Sequence, residues 1–192
     1  MIQMSTEPGE ATQPQRLVFL DRDGTINVDS CYVHRIEDWH FTLCAPAALS
    51  LLRNSGFLLA VVTNQSGIAA GVYTELEMHA LHDHLRNELG KHGVEIAAIA
   101  HCPHAASDYC DCRKPKTGMV RQIVAKLYGP VDYAASWTIG DKVSDIEFGL
   151  SIGTRTALLR SRYWTPGKLS VSPDIVADTL FEAAERIAAH GK

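Results

Sequence analysis

The chain has little that would mark a membrane protein or a nucleic-acid-binding protein. No apolar run approaches the ~18 residues needed to span a bilayer. Lys and Arg number 18 against 22 Asp and Glu, so the net charge is −4 and no broad basic surface is expected. The first fifteen residues lack Lys and Arg and match neither a secretory signal nor an Arg-rich transit peptide. We expect a cytoplasmic protein without membrane or nucleic-acid partners, with a flexible leader at 1–15 and one domain at 16–192.

The cysteines are few and unevenly placed. There are five, an odd number, and Cys102, Cys110 and Cys112 fall within the stretch "CPHAASDYCDC". In a cytoplasmic protein such clustering indicates metal binding rather than disulfides. Three thiolates and one imidazole form a closed tetrahedral set for a structural Zn²⁺, with His104 and His101 as the rival imidazoles. The two remaining cysteines, Cys31 and Cys44, are expected to be unpaired packing residues.

Short apolar strands alternate with amphipathic helices along the chain. Strands such as "LVFL" and "FLLAVVT" are apolar on both faces, which predicts a buried parallel sheet flanked by helices. The fold class is therefore α/β, Rossmann-like. The strands are predicted at 17–20, 57–63, 94–100, 136–139, 154–159 and 174–176, and the helices at 45–55, 74–91, 117–128, 144–151 and 179–190. In such sheets ligands bind beyond the carboxyl ends of the strands.

Charged and polar residues collect where these strands end. They are Asp21 and Asp23 after the first strand, residues 63–67 after the second, Arg113 and Lys114 before the helix at 117–128, and Asp141, Lys142 and Asp145 after the fourth strand. Carboxylates in such numbers repel one another unless a cation joins them. Mg²⁺ prefers oxygen ligands and shares phosphate oxygens with its ligand. The pattern therefore predicts a site for phosphoryl transfer.

Four short motifs carry a family resemblance. "DRDGT", "TNQSG", "RKP" and "GDKVSD" occur in that order and together resemble the motifs of haloacid-dehalogenase-type phosphatases. "YVH" and "CPH…CDCRKP" are further similar to the group related to histidinol-phosphate phosphatase. The resemblance implies a Mg²⁺-dependent phosphatase with a small-molecule sugar bisphosphate, a heptose bisphosphate losing its C7 phosphate, as substrate. It also selects His104 as the fourth zinc ligand. Residues 25–56 and 68–112, where related phosphatases insert a cap domain, are too short to hold one, so a capless domain is expected.

Each site residue has a predicted role. Asp21 is the nucleophile that forms an aspartyl-phosphate, and Asp23, two residues on in an extended segment, is the general acid and base. Asp21, Asp23 and Asp141 are the predicted Mg²⁺ ligands, with Asp145 orienting the site from behind. Lys114 neutralises phosphoryl oxygens. The remaining predicted substrate contacts are Thr63 (also catalytic), Asn64, Gln65, Ser66, Arg113, Lys142 and, by resemblance, Asp29, Ser30, Cys31 and Tyr32.

Alternatives remain open at this stage. Ser144 and Glu147 have the spacing of a capping box, which would leave Asp145 as an ordinary first-turn acid. Histidinol phosphate is a second possible substrate, and a zinc-loop binding module without catalysis is a possibility of another class. A polynucleotide 3′-phosphatase has similar motifs, but the acidic balance argues against it. We expect a monomer.

Overall fold

Six parallel strands form one sheet at the centre of the protein. The computed structural model describes residues 13–163 and 170–190. The strands are β1 (Leu17–Leu20), β2 (Leu58–Asn64), β3 (Ala98–Cys102), β4 (Trp137–Gly140), β5 (Arg155–Leu159) and β6 (Ile175–Ala177). They lie in the order β3-β2-β1-β4-β5-β6, and every neighbouring pair is parallel. The predicted parallel sheet is confirmed, and the strand order reverses beside β1, where such sheets bind ligands.

Helices cover both faces of the sheet. They are α1 (Ala45–Asn54), α2 (Glu75–Gly90), α3 (Gly118–Val124), α4 (Val143–Ile152) and α5 (Leu180–His190). One buried cluster joins the sheet to apolar residues of α1, α2 and α5, and a second joins it to α3 and α4. Thr74 caps α2 and forms a capping box with Glu77. None of the helices within the described ranges is long and apolar enough to cross a membrane.

Two predicted elements differ from those observed by more than one residue at an end. The third strand begins at Ala98 rather than at 94, because Val94 donates its N–H to Leu89 at the end of α2. Val94 and Ile96 are buried, so their apolar character reflects packing under the helix and not strand pairing. The predicted helix 117–128 ends at Val124, since the N–H groups of Lys126 and Leu127 bond three residues back rather than four.

The structure corrects two further expectations, and a third falls largely outside the described residues. Ser144 and Glu147 do not form the capping box of α4, because Asp145 accepts the N–H of Lys142 there at 3.0 Å. The two isolated cysteines, Cys31 and Cys44, are exposed rather than packed. Residues 1–12 of the predicted leader lie outside the described residues, as do 164–169 and 191–192. Between β1 and α1 the chain forms only a loop and one 3₁₀ turn, which leaves no cap domain there.

Candidate active site

Three adjacent strands bring the predicted catalytic residues together. β1 lies between β2 and β4, so Asp21, Thr63 and Asp141 emerge side by side at the carboxyl edge of the sheet. Gly24 follows with φ of +87°, and a Cβ built at this residue would lie 2.3 Å from Asp141 Oδ2. Only glycine therefore allows the chain after β1 to pass this close to the carboxylate.

The centre of the site is a buried carboxylate cluster, which we define as Asp21, Asp141 and Asp145. One carboxylate oxygen from each lies within 4.8 Å of the others, and all three side chains are buried. Lys114 Nζ lies 2.7 Å from Asp21 Oδ1 and 2.8 Å from Asp145 Oδ1. It also donates to the carbonyl oxygen of Val62 at 2.6 Å. The lysine that the sequence predicted at the phosphoryl group thus contacts the predicted nucleophile.

The cluster carries more negative charge than its lysines offset. Burial, with the charges of Asp21 and Asp145, raises the pKa of Asp141 to about 7 against the opposing effect of Lys142. Burial likewise raises the pKa of Asp21, although Lys114 opposes the shift. For Lys114, burial alone would lower the pKa, but the charges of Asp145 and Asp21 outweigh it and raise it.

Two buried carboxylate oxygens in this cluster lack a hydrogen bond within the described residues, Asp141 Oδ1 and Asp145 Oδ1, and the second of them lies 2.8 Å from Lys114 Nζ. Asp141 Oδ1 is buried and has no hydrogen-bond partner among the described residues. The nearest cation is Lys142 Nζ at 3.4 Å. An unpartnered buried oxygen on Asp141, beside the carboxylate of Asp21, belongs to the kind of oxygen donor set that a hard divalent cation satisfies. The residues present therefore fit Mg²⁺.

Asp23 lies outside the carboxylate cluster. Its carboxylate pairs with the Arg22 guanidinium, with Nη2 to Oδ2 at 2.9 Å, and accepts from Gln65 Nε2 at 2.9 Å and Asn27 Nδ2 at 3.0 Å. β1 ends at Leu20, and Asp23 pairs with Asn27 in the turn that follows. Residues 21–23 therefore do not continue the extended strand, so the expected strand alternation does not make the Asp23 side chain point the same way as that of Asp21. Asp23 still lines the cavity described below.

Arg22 is a functional candidate that the sequence reasoning missed. It is fully buried, donates to the Val33 carbonyl at 2.8 Å and to Gln65 Oε1 at 3.1 Å, and lies 3.3 Å from His82 Nε2. Burial and the Arg22 charge lower the pKa of His82 to about 2, so His82 is neutral and can accept from Arg22. Nothing in "DRDGT" signals this burial, since the partners come from distant segments.

The end of β2 holds Lys114 in place. Asn64 Oδ1 accepts the Lys114 N–H at 3.0 Å, and Asn64 Nδ2 donates to the Lys114 carbonyl at 3.3 Å. Thr63 is buried and its Oγ1 accepts from Gln65 Nε2 at 2.8 Å. The motif "TNQSG" therefore fixes both the lysine and the edge of the site.

A cavity of about 430 Å³ opens over these residues. Its walls contain most of the predicted site residues, together with three residues that were not predicted to contact substrate. The predicted residues are Asp23, Asp29, Cys31, Tyr32, Asn64, Gln65, Ser66, Arg113, Lys114 and Lys142, and the additional ones are Tyr73, Ser144 and Tyr163. Ser30 and Thr63 are not among the lining residues. Three lining residues are cationic, which suits an anionic ligand.

The cysteine loop forms a second cluster, which we define as Cys102, His104, Cys110 and Cys112. The three Sγ atoms are 3.1–3.5 Å apart, and His104 Nδ1 lies 3.2 Å from Cys112 Sγ. A tetrahedron with bonds of about 2.3 Å has edges of about 3.8 Å, so the ligand atoms lie close to the spacing that Zn²⁺ needs. The distances exceed that of a disulfide, and the cysteines are free.

Arg113 connects this loop to the cavity. Its Nη1 donates to the His104 carbonyl at 3.1 Å, and its side chain lines the cavity. Burial alone would raise the pKa of the Cys110 thiol, but hydrogen bonds from the Arg113 N–H and the neighbouring cysteines lower it to about 7. Arg113 therefore contacts the loop of the cysteine cluster and also lines the candidate substrate site.

Comparisons with known proteins agree with this geometry. The HAD-hydrolase-like family model matches residues 111–183. The D-glycero-β-D-manno-heptose-1,7-bisphosphate 7-phosphatase of Pseudomonas aeruginosa is 40% identical over 146 residues, 76% of this chain and 81% of that protein. The enzyme of the same name from Escherichia coli K12 is 37% identical over 179 residues, 88% and 92% of the two chains.

A solved structure extends the likeness to the fold. The D,D-heptose 1,7-bisphosphate phosphatase of B. bronchiseptica, complexed with magnesium and phosphate, is 30% identical with a TM-score of 0.82. The match covers 92% of this chain and 99% of that one. This chain belongs to the heptose-bisphosphate phosphatase family of HAD-like hydrolases.

Family membership confirms the resemblance that the four motifs carry. Of the residues those motifs supply, the structure brings Asp21, Asp141, Asp145 and Lys114 into direct contact or close approach. It places the Asp23 side chain apart from them, in the cavity wall. The lining residues Tyr73 and Tyr163 carried no sequence signal, because each lies outside the motifs and reaches the cavity only through the folding of its loop.

Proposed function

We propose that this protein removes the C7 phosphate of D-glycero-D-manno-heptose 1,7-bisphosphate by Mg²⁺-dependent hydrolysis through an aspartyl-phosphate. The observation that carries the proposal is the buried carboxylate cluster paired with Lys114, a lysine that also lines the cationic cavity. The family of named heptose-bisphosphate phosphatases supports the choice of substrate.

Two carboxylates divide the chemistry. A carboxylate oxygen of Asp21 attacks phosphorus, the bond between phosphorus and the C7 oxygen breaks, and Asp23 gives its proton to the leaving sugar oxygen. Asp23 then accepts a proton from a water molecule, whose oxygen attacks phosphorus and releases phosphate from Asp21. Lys114 Nζ, 2.7 Å from Asp21, stabilises the negative charge on the transferring group.

Mg²⁺ would be held by Asp21 and Asp141. The unpartnered Asp141 Oδ1 and the raised pKa values of both side chains support this assignment. When bound, the ion supplies positive charge to the carboxylates and to the phosphoryl oxygens. Asp145, paired with Lys114 and with the Lys142 N–H, orients the site from behind. That Asp23 is also a ligand stays a prediction, because its oxygens already have protein partners.

Zn²⁺ would be held by the cysteine cluster, Cys102, His104, Cys110 and Cys112. The four ligand atoms leave no open position, so the ion would be structural. Bound there, the ion would stabilise the loop that precedes Arg113, whose side chain donates to the carbonyl of the ligand His104.

The cationic cavity favours a bisphosphate over histidinol phosphate. Arg113, Lys114 and Lys142 line it, and a second phosphate would find a bidentate partner in the Arg113 guanidinium. Histidinol phosphate carries one phosphate and an ammonium group, which these cations would repel. That residues 16–192 form one monomeric domain in the cytoplasm stays a prediction.

A substrate panel tests the assignment. The protein with Mg²⁺ is assayed on heptose 1,7-bisphosphate, histidinol phosphate, 3′-phosphorylated DNA and an aryl monophosphate. We expect kcat/KM on the heptose bisphosphate to exceed the others by at least about tenfold, a difference of about 1.4 kcal/mol. Phosphorus NMR should show loss of the C7 phosphate with the C1 phosphate retained. A preference for histidinol phosphate would overturn the substrate, and activity that survives removal of all divalent cations would overturn the metal requirement.

A further inference from the structure

One wall of the cavity comes from the segment that follows β5. Tyr163 lines the cavity and is half-exposed, and its hydroxyl donates to Asp29 Oδ2 at 3.0 Å. The contact joins two segments that are 134 residues apart in sequence. Neither the motifs nor the proposed mechanism assigns a role to this wall.

Asp29 contacts each of the other side chains at this wall. Its Oδ1 accepts the Cys31 N–H at 3.0 Å and lies 3.4 Å from Arg162 Nη2, and its Oδ2 lies 3.5 Å from Lys142 Nζ. Burial alone would raise its pKa, but the Cys31 N–H, the two cations and the Tyr163 hydroxyl outweigh burial and lower it. We call Asp29, Lys142, Arg162 and Tyr163 the clasp.

The tyrosine ring is the centre of the clasp. Lys142 Nζ lies 4.7 Å from the ring centroid and Arg162 Cζ lies 4.9 Å from it, within the range of cation–π attraction. Arg162 Nη2 also donates to the Tyr163 hydroxyl oxygen at 2.7 Å and to Cys31 Sγ at 3.3 Å. Lys142 is therefore held between Asp141 of the carboxylate cluster and the tyrosine ring.

We propose that the clasp determines specificity by binding the part of the substrate that does not react. Tyr163 contacts the polyhydroxylated body of a sugar phosphate and keeps the Lys142 ammonium facing it, and Arg162 is a positioning residue that acts through Tyr163 and Asp29. The inference rests on the proposed function. Binding energy from the remote part of a substrate accelerates its turnover, whereas a small aryl phosphate has no sugar body to contact the clasp.

Substitutions at the clasp test this division. Tyr163→Ala should raise KM for heptose bisphosphate about tenfold with kcat within about twofold, and leave an aryl monophosphate nearly unaffected. Tyr163→Phe keeps the ring and loses the bond to Asp29, so its KM should rise only about threefold. Arg162→Ala should match Tyr163→Ala, and Arg162→Lys should recover part of the loss. Tyr128→Ala, at a tyrosine that is 94% exposed, is the control and should behave as the parent.

The outcomes separate the clasp from the substrate assignment. Equal losses on both substrates, or no loss on either, would overturn the clasp. A parent that ignores heptose bisphosphate but cleaves another ester would overturn only the proposed function, and the same comparison on that ester would then decide the clasp. Hydrogen exchange supplies a test that needs no turnover. Peptides covering 29–33 should exchange faster in Tyr163→Ala and Arg162→Ala than in Tyr128→Ala, and equal rates would show that the clasp does not hold this loop.

Discussion

The carboxylate cluster and the cysteine cluster are both candidate metal centres, and they are built in opposite ways. The first joins the ends of two strands to the start of a helix, with Asp21 and Lys114 93 residues apart. The second takes all four ligand atoms from eleven consecutive residues. The carboxylate cluster consequently forms only when the strands of the sheet have assembled, whereas the cysteine cluster requires only its own loop and a metal ion.

The two clusters also differ in whether a protein cation already balances their negative charge. Lys114 contacts two carboxylates of the first cluster, so a cation is already in place and the residues can stay assembled without a metal. The cysteine cluster has only thiols and an imidazole, and its atoms must lose protons as a metal binds. We infer that removing Mg²⁺ costs activity and little structure, while removing Zn²⁺ disorders the loop.

Replacing the nucleophile should have the largest effect on activity. Asp21→Asn removes the attacking carboxylate but keeps the side-chain volume, and Lys114 retains Asp145 as a partner. We expect turnover to become undetectable, with the zinc content and the cooperative unfolding transition unchanged. Asp23→Asn should lower kcat by roughly 10²–10⁴. Steady-state assays with metal analysis and thermal unfolding check both variants.

Activity of Asp21→Asn within about tenfold of the parent would contradict the mechanism, because an amide cannot replace a carboxylate nucleophile. Loss of zinc from this variant would contradict the comparison instead, since it would mean that the two clusters depend on each other for assembly.

The next effect concerns the cysteine cluster. Cys112→Ser should reduce bound zinc from one ion per chain to none and lower activity about 10–100-fold through disorder of the loop before Lys114. Cys44→Ser, at an exposed cysteine outside the cluster, should retain both zinc and activity. In the parent, mild EDTA should abolish Mg²⁺-dependent turnover reversibly and leave the zinc bound. Absence of zinc from parent protein purified without chelator would contradict the predicted zinc site.

The two clusters could be predicted from the sequence for different reasons. The cysteine ligands are local, so their spacing alone indicates a metal site. The members of the carboxylate cluster could be proposed because parallel strands place their carboxyl ends at one edge, which brings Asp21 and Asp141 together from distant positions. Periodicity also gave the strand and helix order, and it was wrong at β3, where Val94 and Ile96 are buried by packing.

The residues that could not be predicted are those whose partners come from elsewhere in the fold. No local pattern marks Arg22 as buried, yet it is fully buried among Val33, Gln65 and His82. Tyr163 likewise carries no sequence signal, and the structure places it in the cavity wall, in contact with Asp29. A single sequence cannot reveal such pairings, because no local pattern records them.

The effect confined to one substrate concerns Arg113, the residue that lies between the two regions. It lines the cavity and donates to the carbonyl of His104. A half-open site places the loss of a charged contact near the low end of ~2–5 kcal/mol. Arg113→Ala should therefore lower kcat/KM for heptose bisphosphate by roughly 30-fold, at about 1.4 kcal/mol per decade, and leave an aryl monophosphate nearly unchanged, because that ligand has no second phosphate.

Two controls decide what Arg113 does. Lys116→Ala removes a half-exposed cation from the same loop, and a loss as large as that of Arg113→Ala would mean that general positive charge, not one guanidinium, attracts the substrate. Combining Arg113→Ala with Cys112→Ser should cost less than the two losses multiplied together, since the zinc ligand acts on the sugar bisphosphate partly by holding Arg113 through His104. Fully multiplicative losses would show that the cysteine cluster supports the site by another route, and an equal loss on the aryl phosphate would move Arg113 from substrate choice into the chemistry itself.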